Sequence, residues 1–348
     1  MKKILVYGYT GLGNFILFTP ALKKLREVFP QAHITLQVGL DWGCEEAVRG
    51  SNLFDEIVWF SPSSGWRDRL KWYLKMRREG YDLIVTSFGG SSFPMQTCLS
   101  GARYRLGHVS GGEYRSYFDF IHNIKVPIQE GRHEIDLKCD LLVALGEQVT
   151  DRSLLLFIDE ASRVSAMRLL ESYGLSRKDY ICLQPGAANM LPTAKKWSAE
   201  KFAALIKKII EEINIDVVLL GDRNEMEVGR IFEDIVSDNK KVHILFGKTA
   251  VKEAAAIIQN SKLLICNDSG LMHVASAVGT PLVAIYGPTD YTRTAPRNDN
   301  NTIIRHEMEC SPCIRFQGEK TALDCTHRSC INSITVEEVF NVIRTKLG

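Results

Sequence analysis

No stretch of the 348-residue chain reaches the roughly 20 consecutive apolar residues that a membrane-spanning helix needs. The nearest approach is the uncharged run from Ile4 to Leu22 behind Lys2 and Lys3. It is diluted by Gly8, Thr10, Gly11, Gly13, Asn14 and Pro20, so it does not read as a secretion signal. Cysteine is too sparse for a disulfide scaffold: there are nine, and the odd count leaves a thiol over in any intramolecular pairing. A reducing, cytoplasmic setting is the simpler expectation. An excess of one charge is missing too, since 43 Lys and Arg face 41 Asp and Glu, which excludes a polybasic nucleic-acid coat. Linkers rich in Pro or Ser, low-complexity tracts and internal repeats are absent. What is left is a globular chain, 45% hydrophobic and long enough for two domains.

Short runs of Val, Ile and Leu alternate with amphipathic helical patterns, the mark of buried parallel strands in an α/β fold. The first half offers strands at Lys3–Tyr7, His33–Val38, Glu56–Trp59 and Leu83–Thr86. The second offers Tyr180–Gln184, Asp216–Leu220, Val242–Leu245, Leu263–Cys266 and Leu282–Tyr286. Helices are expected over about Ala199–Ile213, capped by Ser198, and over His133–Leu145 and the segment through Leu169 and Leu170, with a further strand around Leu154–Ile158. The domains are set at 1–165 and 175–348, with the boundary between about 160 and 178.

Open parallel sheets bind ligands beyond the carboxyl ends of their strands, where helix N-termini favour anions. Four loops at such positions are unusual. After Lys3–Tyr7 comes Gly8-Tyr-Thr-Gly11-Leu-Gly13-Asn14, whose spacing is not the dinucleotide fingerprint G-x-G-x-x-G and which equally fits a tight turn. Asn267-Asp268-Ser269-Gly270 opens a helix through His273, which suits a diphosphate or an ordinary N-cap. Gly287-Pro288-Thr289-Asp290 would lie beside it. The loop after Gln184 ends in Lys195 and Lys196 at a helix start, where cations oppose the helix dipole and a bound phosphate would account for them.

Together these segments resemble the heptosyltransferase family, glycosyltransferase family 9. The resemblance is carried by Gly11 to Pro30 (GLGNFILFTPALKKLREVFP) and Asn267 to Asp290 (NDSGLMHVASAVGTPLVAIYGPTD), supported by Lys195 to Trp197 and the cysteine segment from Cys310. It implies a GT-B architecture of two Rossmann-like domains flanking a central cleft, the acceptor on the first and the sugar nucleotide on the second. It further implies transfer of heptose from ADP-heptose to a lipopolysaccharide inner core, with inversion. By the same resemblance Asp268, Ser269, Gly270 and His273 bind the diphosphate, Gly287, Pro288 and Thr289 adjoin it, Lys195 contacts phosphate and Glu225 serves the nucleotide. Gly11, Gly13 and His133 fall on the acceptor side.

Relatives carry an aspartate, the expected base, where this chain has Asn14; an amide orients a hydroxyl but does not deprotonate it. Asp41, His108, Glu113, His133 and Asp136 are alternative bases among which the sequence does not choose, and a sugar-nucleotide-binding relative without transfer activity is the competing reading. No two aspartates are separated by one residue, so a D-x-D metal clamp is lacking and metal-independent chemistry is expected, with no cofactor beyond the donor. From Ser61 to Arg115 nine basic residues, Arg67, Arg69 and Lys71 among them, face four acidic ones. The expected partner there is a phosphorylated glycolipid or the anionic cytoplasmic face of a membrane, not nucleic acid, with a solvated amphipathic helix as the plain alternative. Cys310, Cys313, Cys325 and Cys330, with His327 nearby, have zinc-ribbon arithmetic, but a structural zinc is not expected.

Overall fold

The computed structural model describes the chain except residues 9, 40–42, 62–64, 88–92, 113, 177, 187–194, 223–231, 233–238 and 316–323, and the side chains of 93–95. It divides into two compact units, Met1–Phe157 and Ile158–Gly348, slightly ahead of the 160–178 window. Each unit is built on a parallel six-stranded sheet with helices, as expected for the GT-B class.

In the first unit the strands β1 (Lys3–Tyr7), β2 (His33–Val38), β3 (Glu56–Trp59), β4 (Leu83–Thr86), β5 (Tyr104–Val109) and β6 (Ile124–Pro127) lie in the order β3-β2-β1-β4-β5-β6. In the second, β7 (Tyr180–Gln184), β8 (Asp216–Leu219), β9 (Val242–Ile244), β10 (Leu264–Asn267), β11 (Leu282–Ile285) and β12 (Asn301–Ile304) lie in the order β12-β11-β10-β7-β8-β9. The order therefore reverses between β1 and β4 and again between β7 and β10. Crevices open at such reversals because successive crossovers leave toward opposite sides. The four loops singled out in the sequence follow β1, β7, β10 and, beside the last, β11.

The central strands are buried on both faces, which is why they read as unbroken apolar runs. The uncharged N-terminal stretch is accounted for the same way: it forms β1, the helix Leu12–Ile16 and the start of the helix Thr19–Val28, all largely buried. Among the described residues no helix is long and apolar enough to cross a membrane.

The helix Ala199–Glu212 buries Phe202, Leu205, Ile206 and Ile209 and is capped by Ser198, whose hydroxyl accepts from the Lys201 N–H at 3.3 Å. Each of those side chains contributes roughly 1.5–3 kcal/mol by leaving water. Its partner is the C-terminal helix Val336–Leu347, which adds Val339, Phe340 and Ile343 to the same core.

The strand expected around Leu154–Ile158 does not form. There the backbone bonds to non-strand partners: Leu155 N–H donates to the Thr19 hydroxyl and Phe157 N–H to the Ala47 carbonyl. Three strands went unread because their composition hides them: β5 carries Arg105, Gly107 and His108, β6 ends in Pro127, and β12 is only half-buried.

Candidate active site

In the second unit three loops converge where the strand order reverses. Asn267 closes β10 with a fully buried side chain. Its amide nitrogen donates to the carbonyls of Pro185 (2.7 Å) and Gly186 (3.2 Å), and its oxygen accepts from the Trp197 N–H at 3.1 Å. One side chain thus ties both ends of the loop after β7 to β10. Trp197 is itself buried, donates Nε1–H to the Ile334 carbonyl at 2.9 Å and meets Phe202 edge-on at 4.9 Å. Lys195, two residues earlier, is held by this anchor.

Lys195 Nζ lies 2.7 Å from Asp268 Oδ2. Burial pushes the Asp268 carboxyl up, but the Lys195 charge and hydrogen bond, the Thr289 hydroxyl and the nearby His273 outweigh it and hold the group below the usual aspartate range. Asp268 thereby fixes Lys195 beside it. Ser269 precedes the helix Gly270–Val278 in extended conformation and makes no side-chain cap; its hydroxyl donates to Gln184 Oε1 at the end of β7. The first N–H groups of this helix consequently keep no side-chain cap of their own, the arrangement an anionic ligand satisfies. His273 sits one turn along, buried.

The neighbouring loop is fixed from behind. A side chain at Gly287 would meet Ile331 Cβ at 3.0 Å, and the Pro288 carbonyl accepts from Cys313 and Ile314 N–H groups, both at 2.9 Å. Lys195, Asp268, Ser269, Gly270, His273 and Thr289 are thereby brought together; Glu225 lies outside the described residues. Sequence reasoning missed Gln184 and Asn267 as positioning residues, although each is a polar side chain ending an apolar strand. Replacing Asn267 with alanine leaves three buried partners unsatisfied at about 1–3 kcal/mol each. It is expected to lower stability by roughly 3 kcal/mol or more in a denaturant titration and to loosen the loop that carries Lys195.

In the first unit, a Cβ on Gly8 would stand 2.8 Å from Leu36, so glycine lets the loop after β1 pack on β2. Cys44 donates its thiol to the Thr10 carbonyl at 2.6 Å, and burial followed by Glu45 pushes that thiol up to about 12. Gly11 precedes the short helix Leu12–Ile16; Gly13 is buried and Asn14 is exposed on its first turn.

Asp41 and Glu113, two of the alternative bases, lie outside the described residues. His108 is buried, its Nε2 is 2.8 Å from the Leu137 carbonyl, and burial pushes its pKa down to about 4. His133, also buried, caps the helix Glu134–Val143 by accepting from the Ile135 N–H at 3.2 Å. Asp136 faces Arg152 at 3.5 Å. Both imidazoles are buried and bonded to backbone in this structure.

Arg67, Arg69 and Lys71 lie on the helix Trp66–Glu79, whose first turns are largely exposed. All nine cysteines are free thiols. Cys330 is pushed up to about 11, first by burial and then by Cys313, Cys310 and Cys325, so the four thiols share one neighbourhood. Among the described residues no three His, Cys, Asp or Glu gather in a geometry that could hold a metal ion.

The sequence model for glycosyltransferase family 9 (heptosyltransferase) matches residues 69–323. A lipooligosaccharide heptosyltransferase 2 from Campylobacter jejuni is 30% identical over 99% of this chain and 98% of its own length. Among solved structures, Escherichia coli ADP-heptose lps heptosyltransferase II superimposes with a TM-score of 0.77 at 23% identity, covering 100% of this chain and 98% of that one. Escherichia coli heptosyltransferase WaaC, solved with ADP-2-deoxy-2-fluoro heptose, gives 0.71 at 17% identity over 99% of both chains.

Proposed function

Because the chain belongs to glycosyltransferase family 9, the heptosyltransferases, we propose that it transfers heptose from ADP-heptose to a lipopolysaccharide or lipooligosaccharide inner core. In this reading the anomeric carbon is inverted and no metal ion takes part. The observation that carries it is the convergence of Lys195, Asp268, Ser269, His273 and Thr289 on loops at the strand-order reversal of the second unit. The donor and acceptor classes are supported by what the similar enzymes are named for, and by the fit of a diphosphate to an uncapped helix N-terminus beside a lysine.

The chemistry follows from charge. As the anomeric carbon–oxygen bond breaks, negative charge grows on the departing ADP. Lys195 and the N–H groups of the helix Gly270–Val278 are preset to receive it, with no solvent reorganisation needed. Asp268 keeps Lys195 in register. On the first unit, Asn14 orients the attacking hydroxyl, and the cations of the helix Trp66–Glu79, Arg67 and Lys71 on one flank and Arg69 on another, take the acceptor's phosphates. The acceptor's lipid anchor sets the work at the cytoplasmic surface of a membrane.

Two measurements test this. With ADP-heptose and a heptose-deficient core glycan, ADP release is expected to depend on acceptor, with a matching mass gain on the glycan. Nucleotide binding without any transfer would instead assign the chain to non-transferring relatives. Turnover is also expected to survive a chelator undiminished, since the chain lacks a D-x-D clamp; loss of activity restored by magnesium overturns the metal-free reading.

A further inference from the structure

We propose that the outer surface formed by the helix Trp66–Glu79, the end of the helix Phe93–Leu99 and the 3-10 turn Asp119–Ile121 with its approach is a docking face for an anionic lipid bilayer. The inference deepens the acceptor reading above by giving the membrane a specific seat.

Among the described residues ten large hydrophobic side chains are exposed, and six of them fall on these three neighbouring elements. Trp66 is 71% exposed and Leu70 and Leu74 are each 49% exposed. Spaced four apart, they form one ridge along the helix. The other side of the same helix is what the fold uses: Met76 is buried and Trp72 stacks on Phe60 at 4.9 Å. Leu99 continues the apolar surface on the next helix, and Tyr117 and Phe120, 90% and 72% exposed, extend it from the segment between β5 and β6.

At 100° per residue, Arg67, Lys71 and Arg78 fall on the flank adjoining the ridge. Within the helix six cations face only Asp68 and Glu79. Protein-binding surfaces are depleted of lysine at their centres, whereas an apolar ridge with aromatic tips and a cationic flank matches an interfacial helix lying in the headgroup plane. The complementary charge is that of anionic lipid.

The test uses the full chain with vesicles and with neither donor nor acceptor, so its failure leaves the transferase reading standing. The protein is expected to sediment with phosphatidylglycerol–phosphatidylcholine vesicles and not with phosphatidylcholine alone, with added salt weakening the binding. Leu70→Ser/Leu74→Ser and Tyr117→Ser/Phe120→Ser are each expected to lower partitioning by about tenfold or more. Both variants keep turnover on a water-soluble, deacylated acceptor. In the parent protein, lipids brominated on the acyl chain quench tryptophan fluorescence, and Trp66→Phe removes most of that quenching while binding persists. Absence of binding to anionic vesicles, or binding indifferent to both double variants, overturns the proposal. So does a self-association that the same variants abolish, which assigns the face to a second copy of the chain.

Discussion

Replacing Lys195 with alanine is expected to lower kcat/KM about 10²- to 10³-fold, the range for removing one preset donor to a developing oxyanion. Donor affinity falls with it. A second effect has a different origin. Asp268 is 9% exposed at its side chain and Lys195 19%, so the variant strands a buried carboxylate. Breaking such a pair from one side costs roughly 3–5 kcal/mol, and the residual exposure of Lys195 puts the expected loss at the lower end. The pH dependence separates the two effects. In the parent, Asp268 titrates below its unfolded value, so its contribution is complete at neutral pH and is lost only as pH falls below about 4. In Lys195→Ala the burial effect is opposed only by the Thr289 hydroxyl and His273, so the carboxyl titrates higher than in the parent, and the stability deficit is largest at neutral pH and shrinks on acidification. Denaturant melts across that range read the sign. Adding Asp268→Asn to the lysine variant is expected to restore stability without restoring turnover. An alanine variant with parental affinity and rate removes Lys195 from the site.

Asn14→Ala is expected to lower kcat about 10- to 100-fold and leave donor affinity unchanged, because misplacing an acceptor hydroxyl by an ångström is enough for such a loss. Asn14 is exposed on the first turn of a five-residue helix, with no burial to make it structural. Asn14→Asp supplies the carboxylate that the family resemblance implies at this position. Transfer is expected to persist, and its rate to gain an acidic limb as the new base titrates. Rate–pH profiles of the three proteins decide the matter: a flat acidic side in both the parent and Asn14→Asp denies this position any part in proton transfer.

The sheets were legible because strands buried on both faces are mostly apolar: β1, β2, β4 and β7 lie where the apolar runs put them. Where strands face partly outward or carry chemistry, as β5 does with Arg105 and His108, composition stops reporting conformation. The donor loops were legible from their glycines and from lysines placed against a helix dipole. The stitches behind them were not. Asn267 and Gln184 act over separations of some 70 to 85 residues, which no local pattern encodes. His133, read among the alternative bases and acceptor-side residues, also caps a helix, which only packing reveals.

Trp197 closes its hydrogen bond on a carbonyl 137 residues downstream. A nascent chain emerging from its N-terminus therefore holds the loops after β7, β10 and β11 before it holds the buttress that sets Lys195 in place. That lysine is fixed late in synthesis, once the chain has been made through Ile334.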